Sequence, residues 1–343
     1  MKRLTEILGI LTLWALASCE QRLLLDEVSG SQKIVLLGEL AAGDTVLIRG
    51  GQSRHLSQAG QFTDPDPMML VLRDQETGLN IPLSTYPDFN SSFTGTHPYS
   101  ATEKIKSGSR YRIEATHAQL GTVTATVNVP APFQSVVSDT GVTSYGGVAV
   151  WACAVELKDA GEIDHYYMVE AVKEVLHITG SFQHNGFTYF LDSDRWLYDS
   201  LKASGVPVPL TLDTSFTGSL LRVPVFTDDI ATENLQFGSA AQAHHRILLS
   251  DKSFNGAAHR LQLFLDLQAI QAEGWKGRVE LRVQSIDKSY FQFLRSYEQR
   301  SSGSEFPENH HAVKIEGNVE GGLGIIGGVY RNRFIYYFDD WGI

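Results

Sequence analysis

A mainly β architecture in two units, closed by one amphipathic helix, is predicted by three stretches. In Thr122 to Val129 the valines and Ala125 alternate strictly with Thr122, Thr124, Thr126 and Asn128. That period of two is a strand with one dry face and one wet face. A second alternating run places Ala149, Trp151, Cys153, Val155 and Leu157 on a common face. Between the runs stands Pro130-Ala131-Pro132, which reads as a break. Near the end, Asp287 precedes Tyr290, Phe291, Leu294 and Tyr297, a helical stripe behind a capping residue.

The chain begins with Lys2-Arg3, an apolar run from Ile7 to Ala17, and then Leu16-Ala17-Ser18-Cys19. A basic start, a short apolar run and small residues before a cut make a secretory leader. The run is too short for a membrane span, which needs ~20 apolar residues. Leu-Ala-Ser-Cys matches the bacterial lipobox, so Cys19 is expected to carry lipid and to become the mature N-terminus. Each buried acyl methylene is worth ~0.8 kcal/mol, and two or three chains hold firmly. The expected layout is a leader over 1–18, a tether over 19–32, an N-terminal domain over 33–130, a linker over 131–147 and a C-terminal β-rich domain over 148–343.

Further strands are expected at Lys33–Leu40 and Thr45–Arg49, parted by Gly43-Asp44, and at Met68–Asp74 and Tyr111–Ala115. Phe62 to Pro67 reads as a loop. In the second half, strands are expected at Asp164–Val175, Leu220–Phe226, Arg246–Leu249, Leu261–Leu267, Val279–Ile286 and Phe334–Phe338. Asn185-Gly186 is a hairpin signal. Ser193 to Ala203 reads as a short helix capped by Asp192 or Ser193, with Gly205 past its end.

The formal charge is −11, and loss of Lys2, Arg3 and Glu6 with the leader takes it to −12. An acidic surface repels phosphate backbones, so nucleic acid is not an expected partner. The chain has two cysteines. With Cys19 acylated, Cys153 has no partner and reads as a small buried hydrophobe.

Several constellations contain residue types that could carry chemistry. Gly322-x-Gly324-x-x-Gly327 spells the dinucleotide fingerprint. That fingerprint needs a helix after it, whereas Val329 onward reads as a strand, so turn or bulge glycines are expected and no cofactor. His244-His245, His310-His311 and His259 lack a metal-ligand spacing. Asp64 with Asp66, and Asp228 with Asp229, lack the dense spacing of a calcium loop. Tyr189, Phe190, Trp196 and Tyr198 are expected as a small core, with a sugar or peptide platform as the alternative. No Gly-x-Ser-x-Gly elbow is present. No catalytic or metal residue is assigned.

Val279-Glu280-Leu281-Arg282-Val283, Ser285 to Leu294 and Glu316 to Gly328 resemble the signature of a Bacteroidota lipoprotein family, domain of unknown function 4249. Ser250-Asp251-Lys252-Ser253-Phe254-Asn255-Gly256 resembles its mid-domain loop. Leu70 to Asp74, Gly108 to Tyr111 and Ala125 to Pro130 resemble its N-terminal half. The resemblance implies an immunoglobulin- or transthyretin-like β-sandwich there. It carries no catalytic residue. It implies an accessory, non-enzymatic lipoprotein of the outer membrane, cell-surface-facing, partnered by a TonB-dependent transporter. Glu20, directly after the cysteine, fits an outward-facing lipoprotein. The alternative is a secreted hydrolase on a β-sandwich scaffold.

Overall fold

The structure is a computed structural model of the 343-residue chain and describes residues 31–54, 66–85, 95–161, 163–216, 221–233, 244–270, 277–302 and 315–338. The leader, Cys19, the tether to residue 30, Asp64 and His310-His311 lie outside the described residues. The chain is mainly β. Among the described residues no helix is long and apolar enough to cross a membrane.

The first half holds β1 (Ile34–Ala41), β2 (Thr45–Gln52), β3 (Met69–Asp74), β4 (Asn80–Thr85), β5 (Thr96–Lys104), β6 (Arg110–His117) and β7 (Gly121–Asn128). Alternation in β7 is as the sequence dictates: Val123, Ala125 and Val127 are buried, and Thr122 and Asn128 are exposed. They join Leu36, Ile48, Leu72, Tyr99 and Ile113 in one core. The Tyr99 hydroxyl accepts from the Met68 amide at 2.8 Å, so a fully buried tyrosine keeps a partner for its polar end.

The second half holds β8 (Gln134–Tyr145), β9 (Val148–Lys158), β10 (Tyr166–His184), β11 (Phe187–Phe190), α1 (Leu191–Ala203), β12 (Leu210–Phe216), β13 (Leu221–Val223), β14 (Val225–Phe226), β15 (Ile247–Ser250), β16 (Ala258–Asp266), α2 (Leu267–Ile270), β17 (Gly277–Ile286), α3 (Lys288–Ser302), β18 (Val319–Glu320) and β19 (Leu323–Phe338). A four-stranded sheet, β14-β16-β9-β8, faces β10, β17 and the end of β19 across a second core. A third cluster seats Tyr290, Phe291 and Leu294 of α3 against Tyr166, Met168, Ile286 and Val329.

The longest strand ties these parts together. β19 pairs with β1 in parallel from Leu323 to Val329, and with β17 in antiparallel from Val329 to Phe338. Its Ile326, Val329 and Phe338 enter the first, third and second cores respectively.

Three expectations are corrected. Residues 131–147, expected as a linker, contain β8, which pairs with β9 through a two-residue turn at Gly146-Gly147, both at positive φ. Its Ser/Thr-rich, edge-strand sequence carries no strong alternation, and a bulge near Asp139 breaks what alternation there is. The aromatic strand Phe334–Phe338 is only the end of β19, since the glycines before it hid a strand. Leu220–Phe226 is split by Pro224, which cannot donate to a ladder, into β13 and β14.

In β9 both faces are buried from Val150 to Val155, so the face of Trp151 and Cys153 is only half of the buried surface. Burial pushes the Cys153 thiol up to about 12. Thiolate is the reactive form, so a maleimide should leave Cys153 unlabelled in the folded chain and label it in denaturant. Labelling at equal rates in both would contradict this packing.

Candidate functional site

Two features stand apart from the cores: a projecting arm and a buried Asp-His-Asp cluster.

The arm forms because β10 outruns its neighbours. β10 pairs with β17 only as far as Val175↔Gly277, then continues with β12 on one edge, Leu176↔Phe216 to Phe182↔Leu210, and β11 on the other. The β10–β11 turn is Asn185-Gly186, both at positive φ, as the sequence signals. Helix α1 closes against β10 over Gly180, whose missing side chain leaves the space that Leu191 fills. Phe182 is the arm's own core residue, 1% exposed between the rings of Tyr189 and Tyr198 at 5.5 and 5.3 Å. Burying one such ring is worth ~1.5–3 kcal/mol.

The expected aromatic core is therefore half right. Tyr189 and Tyr198 pack, whereas Trp196 is 70% exposed and Phe190 50%. Phe187 at 68% and Leu212 at 60% are also exposed apolar residues of the arm. No residue of α1 is buried. The helix starts at Leu191, earlier than expected. Phe190 holds the cap position without a side-chain bond of its own, and its amide donates to Asp194 Oδ2 at 3.2 Å. Asp192 and Ser193 therefore sit inside the first turn rather than before it.

The second feature follows from pairing. Tyr166 opposes Ser250 in the β10–β15 ladder, so His165 and Asp251 meet just beyond it. Lys158 opposes Ala258 in the β9–β16 ladder, so Asp159 meets the same turn. Gly161 and Gly256, both at positive φ, let the two turns approach closely. His165 Nδ1 lies 2.9 Å from Asp159 Oδ1 and 3.6 Å from Asp251 Oδ2. Both carboxylates are buried, and the His165 side chain is 22% exposed. Asp159 Oδ2 accepts from the amides of Gly161 and Gly256 at 3.0 and 2.7 Å, and Asp159 Oδ1 accepts from the Tyr167 hydroxyl at 2.8 Å. Asp251 Oδ2 accepts from the His165 amide at 2.7 Å.

The two carboxyls part in pKa. Burial alone would raise Asp159, but its hydrogen bonds and His165 outweigh that and hold it below the usual range. Asp251 is raised, chiefly by burial and then by the charge of Asp159. Tyr167 is raised by burial and by Asp159. Asp251 lies 86 positions beyond His165 and further still beyond Asp159, and no local spacing marks the three; only the two ladders bring them together.

The other candidates disperse. His259 Nε2 sits 2.7 Å from Asp229 Oδ2 and its ring stacks on Phe254, whereas the Asp228 carboxylate accepts from the Tyr145 hydroxyl at 2.6 Å. Asp228 and Asp229 thus serve different partners. His244 is half-buried, with its pKa lowered by burial and by exposed His245. The exposed Asp66 carboxylate lies 3.8 Å from His117 Nε2. Gly322 to Gly327 runs from a turn into β19, so a strand and not a helix follows these glycines.

The model of the family described as domain of unknown function DUF4249 matches residues 25–333. The chain belongs to the DUF4249 family. No curated protein matches it. Among solved structures, a DUF4785 family protein from Legionella pneumophila is similar at 8% identity and a TM-score of 0.22, over 74% of this chain and 51% of that one. An Escherichia coli alpha-2-macroglobulin is similar at 10% identity and a TM-score of 0.22, over 75% of this chain and 18% of that one. The DUF4249 chain thus spans about half the length of the first and under a fifth of the second.

Proposed function

We propose that this DUF4249 protein is a non-enzymatic lipoprotein, anchored through Cys19 in the outer membrane and facing the cell surface. There it docks on a TonB-dependent transporter through the β10–β12 arm. The N-terminal half is read as an immunoglobulin- or transthyretin-like sandwich that stands between anchor and arm. The leader and lipobox support the anchor. The arm is the observation that carries the docking. It exposes two phenyl rings and an indole on a short hairpin-and-helix scaffold, and such side chains dominate the energy of protein interfaces.

Placement favours a protein over the lipid surface as the occupant. The tethered end enters at β1, beside Leu323, whereas the arm leaves beyond the β17–β19 pairing that ends at Phe338. β19 has 16 residues, so the two ends stand up to about 50 Å apart along it. A tether of ~12 residues reaches ~20 Å on average, so the first strands stay near the membrane and the arm can stand well above it. Barrel loops that rise above the bilayer fit that height.

The test is affinity purification of the tagged chain from the native host in mild detergent. A barrel transporter should co-purify, and Trp196→Ala with Phe190→Ser should reduce its recovery at least 10-fold while leaving membrane attachment intact. Cys19→Ala should release the protein and lose the partner together. If no barrel co-purifies, or the arm variant recovers it in full, the docking reading fails.

A further inference from the structure

The Asp159-His165-Asp251 cluster has an electronic arrangement that its hydrogen bonds leave incomplete. A carboxylate oxygen offers about two lone-pair sites. Asp159 Oδ2 uses both, on the Gly161 and Gly256 amides. Asp159 Oδ1 uses one, on Tyr167. Asp251 Oδ2 uses one, on the His165 amide. His165 Nδ1 is a buried atom without a hydrogen-bond partner, although two carboxylate oxygens lie near it. Its in-plane direction therefore points at neither oxygen. Each residue thus keeps at least one donor atom with an unused lone pair.

Their spacing fits a small cation. Two donors bound at ~2.1–2.3 Å at tetrahedral or octahedral angles stand ~3.0–3.7 Å apart. Nδ1 lies 2.9 Å from Asp159 Oδ1 and 3.6 Å from Asp251 Oδ2, and one ligand atom from each of the three residues falls within 4.8 Å of the others. The donors are preorganised. Asp159 is pinned by two amides and a hydroxyl, as ligating carboxylates commonly are. Two buried carboxylates beside one imidazole also leave negative charge in excess, which a dication would neutralise.

We propose that Asp159, His165 and Asp251 bind a first-row transition-metal dication that clamps the β9–β10 turn to the turn after β15. One imidazole nitrogen and two carboxylate oxygens suit zinc or manganese better than calcium, which prefers oxygen alone. The partly exposed edge of His165 gives the ion its entry, and water completes the shell. The role is structural and independent of the docking reading.

The experiment uses the full mature chain in detergent, stripped with chelator and then given zinc. Mass spectrometry after desalting should find one more equivalent of zinc in the native chain than in Asp251→Asn or His165→Gln. At 100-fold excess over Kd the melting temperature should rise by about 5–10 °C. Asp251→Asn keeps an oxygen for the His165 amide and removes only the charge, so it should fold, with unchanged circular dichroism, and bind zinc at least 10-fold more weakly. A His310→Ala/His311→Ala variant should keep the site. The proposal is overturned if the native chain and Asp251→Asn hold zinc equally. It is overturned equally if calcium, and not zinc or manganese, raises the melting temperature.

Discussion

Gly324→Ala should prevent the chain from folding at 37 °C. Gly324 holds φ at 111°, a conformation that L side chains rarely adopt, and a β-carbon there would overlap the carbonyl oxygen of Leu36. That oxygen belongs to β1, paired with β19 at Leu36↔Gly324. Backbone strain alone costs ~1–3 kcal/mol. Separating β1 from β19 adds more, and a total above ~4 kcal/mol is comparable with the whole stability of many domains. Gly327→Ala is the instructive contrast. Its β-carbon would overlap the ring of Tyr290, a side chain rather than backbone. Tyr290→Ala should therefore restore part of the stability lost in Gly327→Ala and none of that lost in Gly324→Ala. Denaturant unfolding of the four variants measures this. Equal rescue in both backgrounds would contradict the packing described.

Asp287→Ala should cost ~2–4 kcal/mol. The carboxylate caps α3 by accepting from the Tyr290 amide at 2.9 Å, and it also accepts from the Gly328 amide. Loss of a cap costs ~1 kcal/mol, and a buried amide left bare costs ~1–3 more. The penalty depends on pH. Burial raises the Asp287 carboxyl from 3.8 to about 6, against the pull of its three amide bonds. The folded protein therefore holds a proton that the unfolded chain has released. Its contribution is fully present below the unfolded pKa near 4 and is lost as pH rises through about 6. Two units correspond to ~3 kcal/mol. The alanine variant should thus be more severely destabilised at pH 4 than at pH 7, and the two proteins should converge as pH rises. Urea midpoints across that range give the comparison; a deficit that grew with pH would reverse the assignment.

Strand identity was legible where burial is one-sided. β7 and α3 follow their sequence periodicity, apart from Tyr297, which is 48% exposed. Legibility fails where pairing partners, not side chains, decide. Leu323 to Gly328 looks like a turn because of its glycines, yet these glycines are what permit β1, Tyr290 and Asn128 to approach. β4 and β5, with Pro82 and Pro98 inside them, were not foreseen. The polar β8 owes its form to β9. Trp196 and Phe190 were legible as a group, but not their exposure, because that depends on how far β10 outruns β17. Asp159, His165 and Asp251 were not legible at all, since each is ordinary in its own neighbourhood and only two long-range ladders gather them.

The parallel pairing of β1 with β19 has a mechanical meaning. A pull on the N-terminal tether, opposed by a load on the arm, runs along the strand axes from the start of β1 to the end of β19. The backbone bonds from Val35↔Leu323 to Ala41↔Val329 then bear the load together, in shear, rather than opening one after another as a zipper would. β2 shares it on the other edge, from Ile34↔Gln52 to Glu39↔Leu47. Under the proposed anchoring and docking, the chain would be fastened along its strongest direction.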